Sequence, residues 1–366
     1  MKIFHVISSL DIGGAECFVA HLANEQIKKH KVGIVILKKG NIHTLSFEND
    51  LDPGIQLFKL NWTKKYSIIQ AVKLTRFFKK QDPDVVHVHL HNPFYYVYFS
   101  SWFINGIRFI NTFHTNLSGW DKVLKIVDTF RIINNKITHV CLTDSIYNET
   151  VLKYPALNLT MINNGIPDYQ VRRSNIEIES FWNNFDRGPA MHRFLAIGNL
   201  SMPKNYPFMC KVFKRLMELK IPAILIIIGK DSDPEQKISR EIKEIDAENV
   251  FLAGPLKNAP DFLLKAEALL LGSLIEGMPI TVIESFSLGK PVISTPAGGM
   301  ADLIKDGING YLLKDWTVEN YVLKLIDYIN SPEDQKNTIG KNAKLYYAEN
   351  LQIDKISEKY LQVYKD

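Results

Sequence analysis

Short apolar runs alternate with longer amphipathic segments along this 366-residue chain, and the alternation stops once and then restarts. The first series contains the runs KIFHVIS, KVGIVIL, IQLFKL, DVVHVHL, IRFINTFH and ITHVCLT. The second series contains HRFLAIGNL, PAILIIIG, NVFLAG, EALLLGS, KPVIST and INGYLL. Strands that alternate with helices predict a mostly parallel sheet covered on both faces. Two such series predict an α/β chain with two Rossmann-like domains facing a cleft.

The interruption marks the expected domain boundary. Residues 169–189 are polar and irregular in pattern, and they predict a linker. We therefore expect an N-terminal domain at 1–168 and a C-terminal domain at 190–345. A chain of this length is comfortable for two domains of ordinary size.

Composition excludes several classes of protein. The net charge of +5 is mild and evenly spread, so it does not imply nucleic-acid binding. The three cysteines are scattered, which favours a reducing, cytoplasmic compartment over a disulfide framework or a zinc site. No stretch reaches the roughly 18 to 20 apolar residues that a membrane span needs. The N-terminal run meets Asp11 before any secretory cleavage pattern, so it predicts a first strand.

The segment 273–311, SLIEGMPITVIESFSLGKPVISTPAGGMADLIKDGINGY, is the most informative for function. It sets Glu276 and Glu284 on either side of Pro279, a residue that suits the first turn of a helix. Glu284 is then inside the helix, about 7 Å along the axis from Glu276 at 1.5 Å per residue. The N–H groups at a helix start are a natural seat for phosphate. A phosphate flanked by hydroxyl-seeking carboxylates fits a nucleotide-sugar.

Two other segments place candidate groups where a strand ends and a helix begins. Gly13 and Gly14 follow the first strand, but their spacing is not that of the dinucleotide fingerprint, and a flexible turn explains them equally well. Lys204 follows the strand of AIGNLSMPKN. The carboxyl ends of strands are where open α/β sheets bind ligands, which favours a binding role for this lysine over a solvated surface position.

Histidines form a third candidate set. His87, His89 and His91 are two apart in VVHVHLH, so on a strand they share one face, where three imidazoles could ligate a metal. We expect no metal there. His114 follows the fifth apolar run directly, at the end of a strand.

The order E-GMPITVI-E, GKPVIS, GG and DGINGYLL closely resembles the C-terminal signature of the retaining GT-B glycosyltransferases of family 4, also called group 1. GGAE resembles the N-terminal glycine loop of this family, and INNGIP resembles its turn near the domain boundary. The resemblance covers nearly the whole chain and is strongest in the C-terminal half. It implies a GT-B fold whose last helix, at 346–366, crosses back to the N-terminal domain.

The resemblance also implies an activity. A sugar moves from a nucleoside diphosphate, most often uridine diphosphate (UDP), to a hydroxyl of a sugar or lipid-linked acceptor. The anomeric configuration is retained, the type is hexosyltransferase-like, and no metal or other cofactor is required. The expected setting is polysaccharide or glycolipid assembly in the cytoplasm or at the inner face of a membrane.

The resemblance assigns catalytic roles to Glu276, His114 and Lys204. Glu276 holds sugar hydroxyls, His114 contacts the donor sugar, and Lys204 pairs with the diphosphate.

Donor binding is implied for a second set of residues. Glu284 orients the ribose, and the family's glycine loop and helix start face the diphosphate. Asn199 stands where the family usually has an arginine. Electrostatic attraction to the diphosphate then depends on Lys204 and the helix ends, or on another cation. The complete donor-binding set is Glu284, Gly13, Gly14, Asn199, Gly277, Met278, Pro279 and Ile280.

Four alternatives stay open. A GT-B sugar-nucleotide epimerase and a catalytically degenerate nucleotide-sugar-binding subunit both fit these motifs, and Asn199 favours the second. The basic segment KKYSIIQAVKLTRFFKK predicts either a helix that covers a sheet with its lysines outward or a helix on an anionic membrane. The aromatic run FYYVYFSSWFINGIRF predicts a buried helix and strand rather than an acceptor platform.

Overall fold

The computed structural model describes residues 1–38, 45–63, 67–114, 136–186, 188, 191–231 and 235–365. The chain separates into two compact units. The first contains Met1–Pro167 and Leu351–Asp366, and the second contains Asp168–Asn350. Each unit is built on one sheet, of seven strands in the first and six in the second among the described residues.

The strands are β1 (Lys2–Ile7), β2 (Lys31–Lys38), β3 (Gln56–Trp62), β4 (Val85–His89), β5 (Arg108–Phe113), β6 (Ile137–Cys141), β7 (Asn158–Met161), β8 (His192–Ile197), β9 (Ala223–Ile228), β10 (Val250–Gly254), β11 (Ala268–Leu271), β12 (Val292–Ser294) and β13 (Tyr311–Leu312). Their order is β3-β2-β1-β4-β5-β6-β7 in the first sheet and β10-β9-β8-β11-β12-β13 in the second. Every named pair of neighbours is parallel. The predicted α/β class with parallel sheets is confirmed.

The α-helices are α1 (Gly14–Gln26), α2 (Ile68–Gln81), α3 (His91–Phe103), α4 (Asp144–Lys153), α5 (Asn175–Asn183), α6 (Tyr206–Glu218), α7 (Lys237–Ile245), α8 (Ile280–Ser287), α9 (Met300–Leu303), α10 (Val318–Asn330), α11 (Glu333–Asn350) and α12 (Ile353–Val363). Short 3₁₀ helices occupy Phe47–Asp50, Met202–Lys204 and Ala259–Lys265.

The strands form where the apolar runs predicted them. All six residues of β9 are buried, which is typical of a parallel strand covered on both faces. Each of the twelve runs contains a strand. The sequence did not reveal β7, because this edge strand has only four residues, NLTM, and carries no apolar run.

The segment predicted to be an irregular linker contains a helix, and this expectation was wrong. Ser174 and Glu177 form a capping box that starts α5. The buried residues of the helix are Ile178 and Trp182. The buried carboxylate of Asp261 accepts hydrogen bonds from the backbone N–H groups of Arg172 and Arg173, at 3.2 and 3.0 Å. These contacts place the segment in the second unit. Residues 187, 189 and 190 lie outside the described part of the chain.

The C-terminal helices divide between the two units. The helix α11 packs against α8 in the second unit, whereas α12 packs against α1 in the first. Buried Tyr360 and Tyr364 lie on and just after α12, and their hydroxyls contact side chains of the first sheet. The helix that returns to the first unit therefore begins after Leu351.

The basic segment forms α2, which packs against the aromatic helix α3. The buried face of α2 includes Ala71, Leu74 and Phe78, and its lysines point outward, so the helix covers the sheet. Its first turn exposes Ile68 and Ile69, and residues 64–66 of the segment lie outside the described residues. Among the described residues, no helix has the length and apolar character that a membrane crossing requires.

Candidate active site

The helix α8 has well-defined ends. Pro279 is its N-cap, with a φ of −66° and an extended ψ of 127°, so the helix begins one residue later than a proline in the first turn would imply. At the other end, Gly289 adopts a φ of +68°. The N–H groups of Gly289 and Lys290 donate to the carbonyls of Phe286 and Ser285, at 2.9 and 2.8 Å. This is the Schellman motif, in which a glycine ends the helix.

Glu276 lies in the loop before α8 and is buried. Its Oε1 accepts a hydrogen bond from the Lys204 ammonium at 2.7 Å and from the Ser273 hydroxyl at 2.6 Å. Lys204 ends the 3₁₀ helix that follows β8, and Glu276 follows β11. Since β8 and β11 are neighbours in the sheet, two residues that the sequence suggested separately meet at one edge.

The loop that carries Lys204 is tied to the loop that carries Glu276. Asn205 adopts a φ of +52° and donates from its amide to the Gly272 carbonyl at 3.2 Å. The N–H of Leu274 donates to the Pro203 carbonyl at 2.8 Å. These two bonds hold the loops in register, which fixes the position of the ammonium.

Glycines make room for the ion pair. Gly198 has a φ of +154°, and a Cβ there would lie 3.2 Å from the Lys204 side chain. Gly298 has a φ of +52°, and a Cβ there would overlap the carbonyl oxygen of Glu276. The GG motif therefore supports the position of Glu276, a role that the sequence did not assign.

Two further side chains hold the same loop. The Thr295 hydroxyl and the Trp316 indole N–H both donate to the Ser273 carbonyl, at 2.7 and 2.8 Å. Ser273 stands in a family-like stretch, so a motif pointed towards it. No sequence signal indicated Trp316, which lies 43 residues away along the chain.

Glu284 is the fifth residue of α8, and its side chain is half-buried. Burial raises the pKa of its carboxyl to about 8. At neutral pH this carboxyl is therefore mostly protonated, and it can both donate and accept hydrogen bonds. The pKa of the nearby Tyr169 phenol is raised, mainly by burial and then by the charge of Asp261. The charge of Glu284 adds to this effect.

Asn199 is exposed at the end of β8. The next residue, Leu200, donates its N–H to the Lys230 carbonyl at 2.8 Å, so the loop after β9 lies alongside. Lys230 is exposed there. Asn199 itself supplies no cation, and one lysine lies on the adjacent loop.

The predicted glycine loop lies in the first unit. Gly13 is the N-cap of α1, which begins at Gly14. The backbone of Gly13 is extended, with a φ of −172°, so its conformation does not require glycine. A Cβ there would overlap the carboxylate of Glu16. Burial raises the pKa of Glu16 to about 7, and the sequence analysis had not singled this residue out as a site residue.

His114 follows β5, and its Nε2 lies 3.0 Å from Nδ1 of His89. Burial lowers the pKa of His114 to about 3. The expectation that His87, His89 and His91 share a strand face was wrong, because β4 ends at His89 and α3 begins at His91. Leu90 between them adopts a φ of +70°, which breaks the strand.

His5 takes the place of His91 in the cluster. Among the described residues, His5, His87 and His89 each have one ring nitrogen within 4.8 Å of the other two. A metal ion can bind nitrogens at this spacing. Both nitrogens of all three rings already have side-chain partners, which include Gln26 and Tyr364. A metal ion would have to displace these hydrogen bonds.

Comparisons with known proteins show the family of the chain. The model of Glycosyltransferase Family 4 matches residues 12–169, and the model of Glycosyl transferases group 1 matches residues 187–346. An uncharacterized glycosyltransferase of Methanocaldococcus jannaschii is 41% identical over 103 residues, which are 28% of this chain and 25% of that protein. The N-acetyl-alpha-D-glucosaminyl L-malate synthase of Bacillus anthracis is 23% identical over 309 residues, 82% of this chain and 79% of that protein.

Solved structures show the same fold. A glycosyltransferase from Rickettsia africae has a TM-score of 0.83 at 18% identity, covering 100% of this chain and 97% of that one. HepE of Anabaena, in complex with UDP and glucose, has a TM-score of 0.83 at 16% identity, covering 100% of both chains.

The two parallel sheets with flanking helices, and the similarity to these structures over the whole chain, place the chain in the GT-B fold class. The chain belongs to the glycosyl transferases of family 4, group 1, and it is a transferase enzyme by family.

Proposed function

We propose that the chain transfers a sugar from a nucleoside diphosphate, with UDP as the favoured carrier, to a hydroxyl of an acceptor. The observation that carries this proposal is the ion pair of Lys204 and Glu276, which lies just ahead of the first turn of α8. A cation, a carboxylate and a helix start then stand together. This set suits a ligand with a diphosphate and a sugar ring.

The leaving group is the first requirement of the reaction. As the glycosidic bond breaks, negative charge grows on the departing diphosphate. Lys204 and the N–H groups at 277–280 stabilise that charge, since helix starts carry a partial positive charge. The Glu276 carboxylate holds Lys204 in place until the donor binds.

The two glutamates have different roles in this proposal. Glu284 binds the ribose hydroxyls, and its raised pKa suits a group that exchanges hydrogen bonds with neutral hydroxyls. Glu276 binds hydroxyls of the transferred sugar and faces the positive charge that develops at the anomeric carbon. The carboxylate pair therefore differs from the acid and nucleophile of a glycoside hydrolase.

The family also implies roles for residues of the first unit. His114 contacts the donor sugar, and the turn at Gly13 and Gly14 faces the diphosphate. The first unit is the acceptor-side domain and the second is the nucleotide-sugar-binding domain. These assignments come from the family.

We further propose that the anomeric configuration is retained and that no metal is required. Retention is expected from front-face attack, with the leaving phosphate as the base. Treatment with a chelator is expected to leave transfer unchanged. Loss of activity that a divalent ion restores would contradict this expectation and direct attention to His5, His87 and His89.

The acceptor is expected to be a saccharide or a lipid-linked saccharide in polysaccharide or glycolipid assembly. Support for a cytoplasmic membrane surface comes from α2, whose first turn exposes 62% of Ile68 and 67% of Ile69 near exposed Lys73. Such a face suits anionic lipid. Sedimentation with phosphatidylglycerol vesicles, compared with phosphatidylcholine vesicles, tests this, and the double variant Ile68→Ser/Ile69→Ser is expected to bind less.

A panel of nucleotide-sugars tests the donor. A ligand that binds the folded state raises the melting temperature, and UDP-glucose and UDP-N-acetylglucosamine come first in the panel. UDP-glucose is chosen because the Anabaena structure holds UDP and glucose. UDP-N-acetylglucosamine is chosen because the Bacillus relative is an N-acetyl-alpha-D-glucosaminyl L-malate synthase. Proton NMR of the product then reads the anomeric configuration. Absence of stabilisation by any member of the panel would contradict the proposal.

A binding subunit without turnover is the second candidate, and the neutral Asn199 is the observation that favours it. Donor binding with neither hydrolysis nor transfer would support this candidate. An epimerase differs from both, because it consumes the donor without any acceptor.

A further inference from the structure

The first unit contains a line of hydrogen-bonded side chains that the proposed transfer does not explain. It runs from Gln26 through His5 and His89 to His114, and we call it the histidine relay. Gln26 ends α1, His5 lies on β1, His89 lies on β4, and His114 follows β5. Gln26, His5 and His89 are buried.

The relay begins at the Gln26 amide. Its Oε1 lies 2.9 Å from Nε2 of His5, and its Nε2 lies 3.4 Å from the Tyr364 hydroxyl. An amide oxygen only accepts hydrogen bonds, so Nε2 of His5 carries a proton. Burial lowers the pKa of His5 to about 4, which makes this ring neutral at pH 7. Its Nδ1 is therefore unprotonated.

The same reasoning passes along the relay. Nδ1 of His5 lies 3.1 Å from Nε2 of His89, so His89 donates from Nε2. Nδ1 of His89 then accepts from Nε2 of His114 at 3.0 Å. Burial lowers the pKa of both rings, so each holds one proton. His114 therefore carries its proton on Nε2 and has an unprotonated Nδ1.

A second branch starts from the same amide. Gln26 donates to the Tyr364 oxygen, and the Tyr364 hydroxyl donates to Nδ1 of His87 at 2.6 Å. His87 then donates from Nε2 to the Thr112 hydroxyl at 2.7 Å. Every donor in this branch meets an acceptor.

The relay ends on an atom without a partner. Nδ1 of His114 is buried, and it makes no hydrogen bond with any residue that the structure describes. Buried polar atoms nearly always have partners, so an exception calls for an explanation, such as a water molecule or a ligand that binds there. Because this nitrogen is an acceptor, the missing group is a donor, such as a hydroxyl.

We propose that Gln26 is a positioning residue that acts through His5 and His89 to hold His114 as the Nε2–H tautomer, with Nδ1 presented to a ligand hydroxyl. The tautomer depends on the relay alone. The identity of the hydroxyl rests on the proposed function, in which it belongs to the transferred sugar.

The tautomers are measured without any ligand. Long-range ¹H–¹⁵N correlation spectra of the full chain, labelled with ¹⁵N-histidine, distinguish protonated from unprotonated ring nitrogens. The signal of His114 is assigned from its loss in His114→Gln. We expect an unprotonated Nδ1 for His5, His89 and His114. The opposite amide orientation would reverse every donor, so a proton on Nδ1 of His89 or His114 would overturn the proposal.

Two variants test the cause. Gln26→Met keeps the length of the side chain and removes the acceptor, so His114 is expected to lose its single tautomer. Tyr360→Phe is the matched control, because it removes another buried hydroxyl of the same cluster, bonded to Thr112, and leaves the relay intact. Unchanged tautomers in Gln26→Met would overturn the proposal. If that variant does not fold, the spectrum of the native chain still decides.

Ligand spectra separate the relay from the proposed function. UDP-glucose is expected to move the Nδ1 resonance of His114, whereas UDP, which lacks the sugar, is expected to leave it in place. Binding of UDP-glucose without a change at Nδ1 would overturn the hydroxyl contact. If no nucleotide or nucleotide-sugar binds, the proposed function fails, while the tautomer result stands.

Discussion

The Lys204 ammonium lies 2.7 Å from the carboxylate of Glu276, although 72 residues separate them in the chain. They meet because β8 and β11 are adjacent parallel strands, and the loops after them leave the same edge of the sheet. The Ser273 hydroxyl binds the same carboxylate oxygen. A ligand that pairs with Lys204 therefore lies beside Glu276.

The two glutamates are expected to fail in different ways. Glu284→Ala removes hydrogen bonds to the ribose, so KM for the donor is expected to rise about tenfold, or ~1.4 kcal/mol. Glu276→Gln removes the charge that faces the anomeric carbon, so kcat is expected to fall about a hundredfold. Steady-state kinetics, with the donor varied at a fixed saturating concentration of acceptor, measure both effects. Glu319→Ala, at an exposed glutamate of α10, is the control, and wild-type kinetics in both site variants would contradict the assignment.

Gly298→Ala is expected to lower both stability and turnover. Alanine at a φ of +52° costs about 1 kcal/mol, and the added Cβ also overlaps the Glu276 carbonyl and displaces the loop. Gly307→Ala is the matched control, since that glycine has a φ of +71° and open space around its Cβ position. Melting temperatures and kcat are compared. Equal losses in the two variants would show that the overlap with Glu276 has no effect.

Glu284 is expected to make stability fall as pH rises. The pKa of its carboxyl is about 8 in the folded chain, well above the ordinary value of 4.5. Between these values the unfolded state has lost the proton that the folded state retains, so the free energy of unfolding decreases with pH and levels off above about 8. Glu284→Gln removes this contribution.

Urea unfolding of both proteins between pH 5 and 9 measures the difference. Other titrating groups, such as Glu16, are present in both proteins and cancel in the comparison. The advantage of Glu284→Gln is expected to grow with pH. Parallel curves would mean that the carboxyl has an ordinary pKa.

Asn199→Arg is expected to improve donor use. An arginine at the end of β8 adds a permanent cation beside the loop of Lys204, where the family usually has one. The gain in kcat/KM is expected to be about tenfold, the effect of one charged hydrogen bond of ~1.5 kcal/mol. Asn199→Gln is the neutral control of similar length. If Lys230, on the adjacent loop, already supplies this charge, Lys230→Met lowers kcat/KM and Asn199→Arg restores it.

The sequence predicted the fold where burial leaves a pattern. Most of the predicted strands are apolar runs because parallel strands are covered on both faces, whereas β3 and β10 are edge strands that carry apolar residues without a fully buried side chain. The edge strand β7 lacks that pattern and was missed. The helix α5 was missed because only two of its nine residues are buried, so its polar composition resembled a linker.

The candidate site was predictable one residue at a time. Lys204 and Glu276 each stood at the end of an apolar run, but their ion pair depends on strand order, which local patterns do not show. The support that Trp316 gives to the loop has no local signal for the same reason. His5 belongs to the histidine cluster because β1 pairs with β4. His91 does not belong to it because Leu90 ends the strand.

The most direct test is a crystal structure of the chain with UDP. The diphosphate is predicted to lie within hydrogen-bond distance of the Lys204 ammonium and of backbone N–H groups at 277–280, with the ribose at Glu284. A diphosphate bound away from the start of α8 would contradict the central claim.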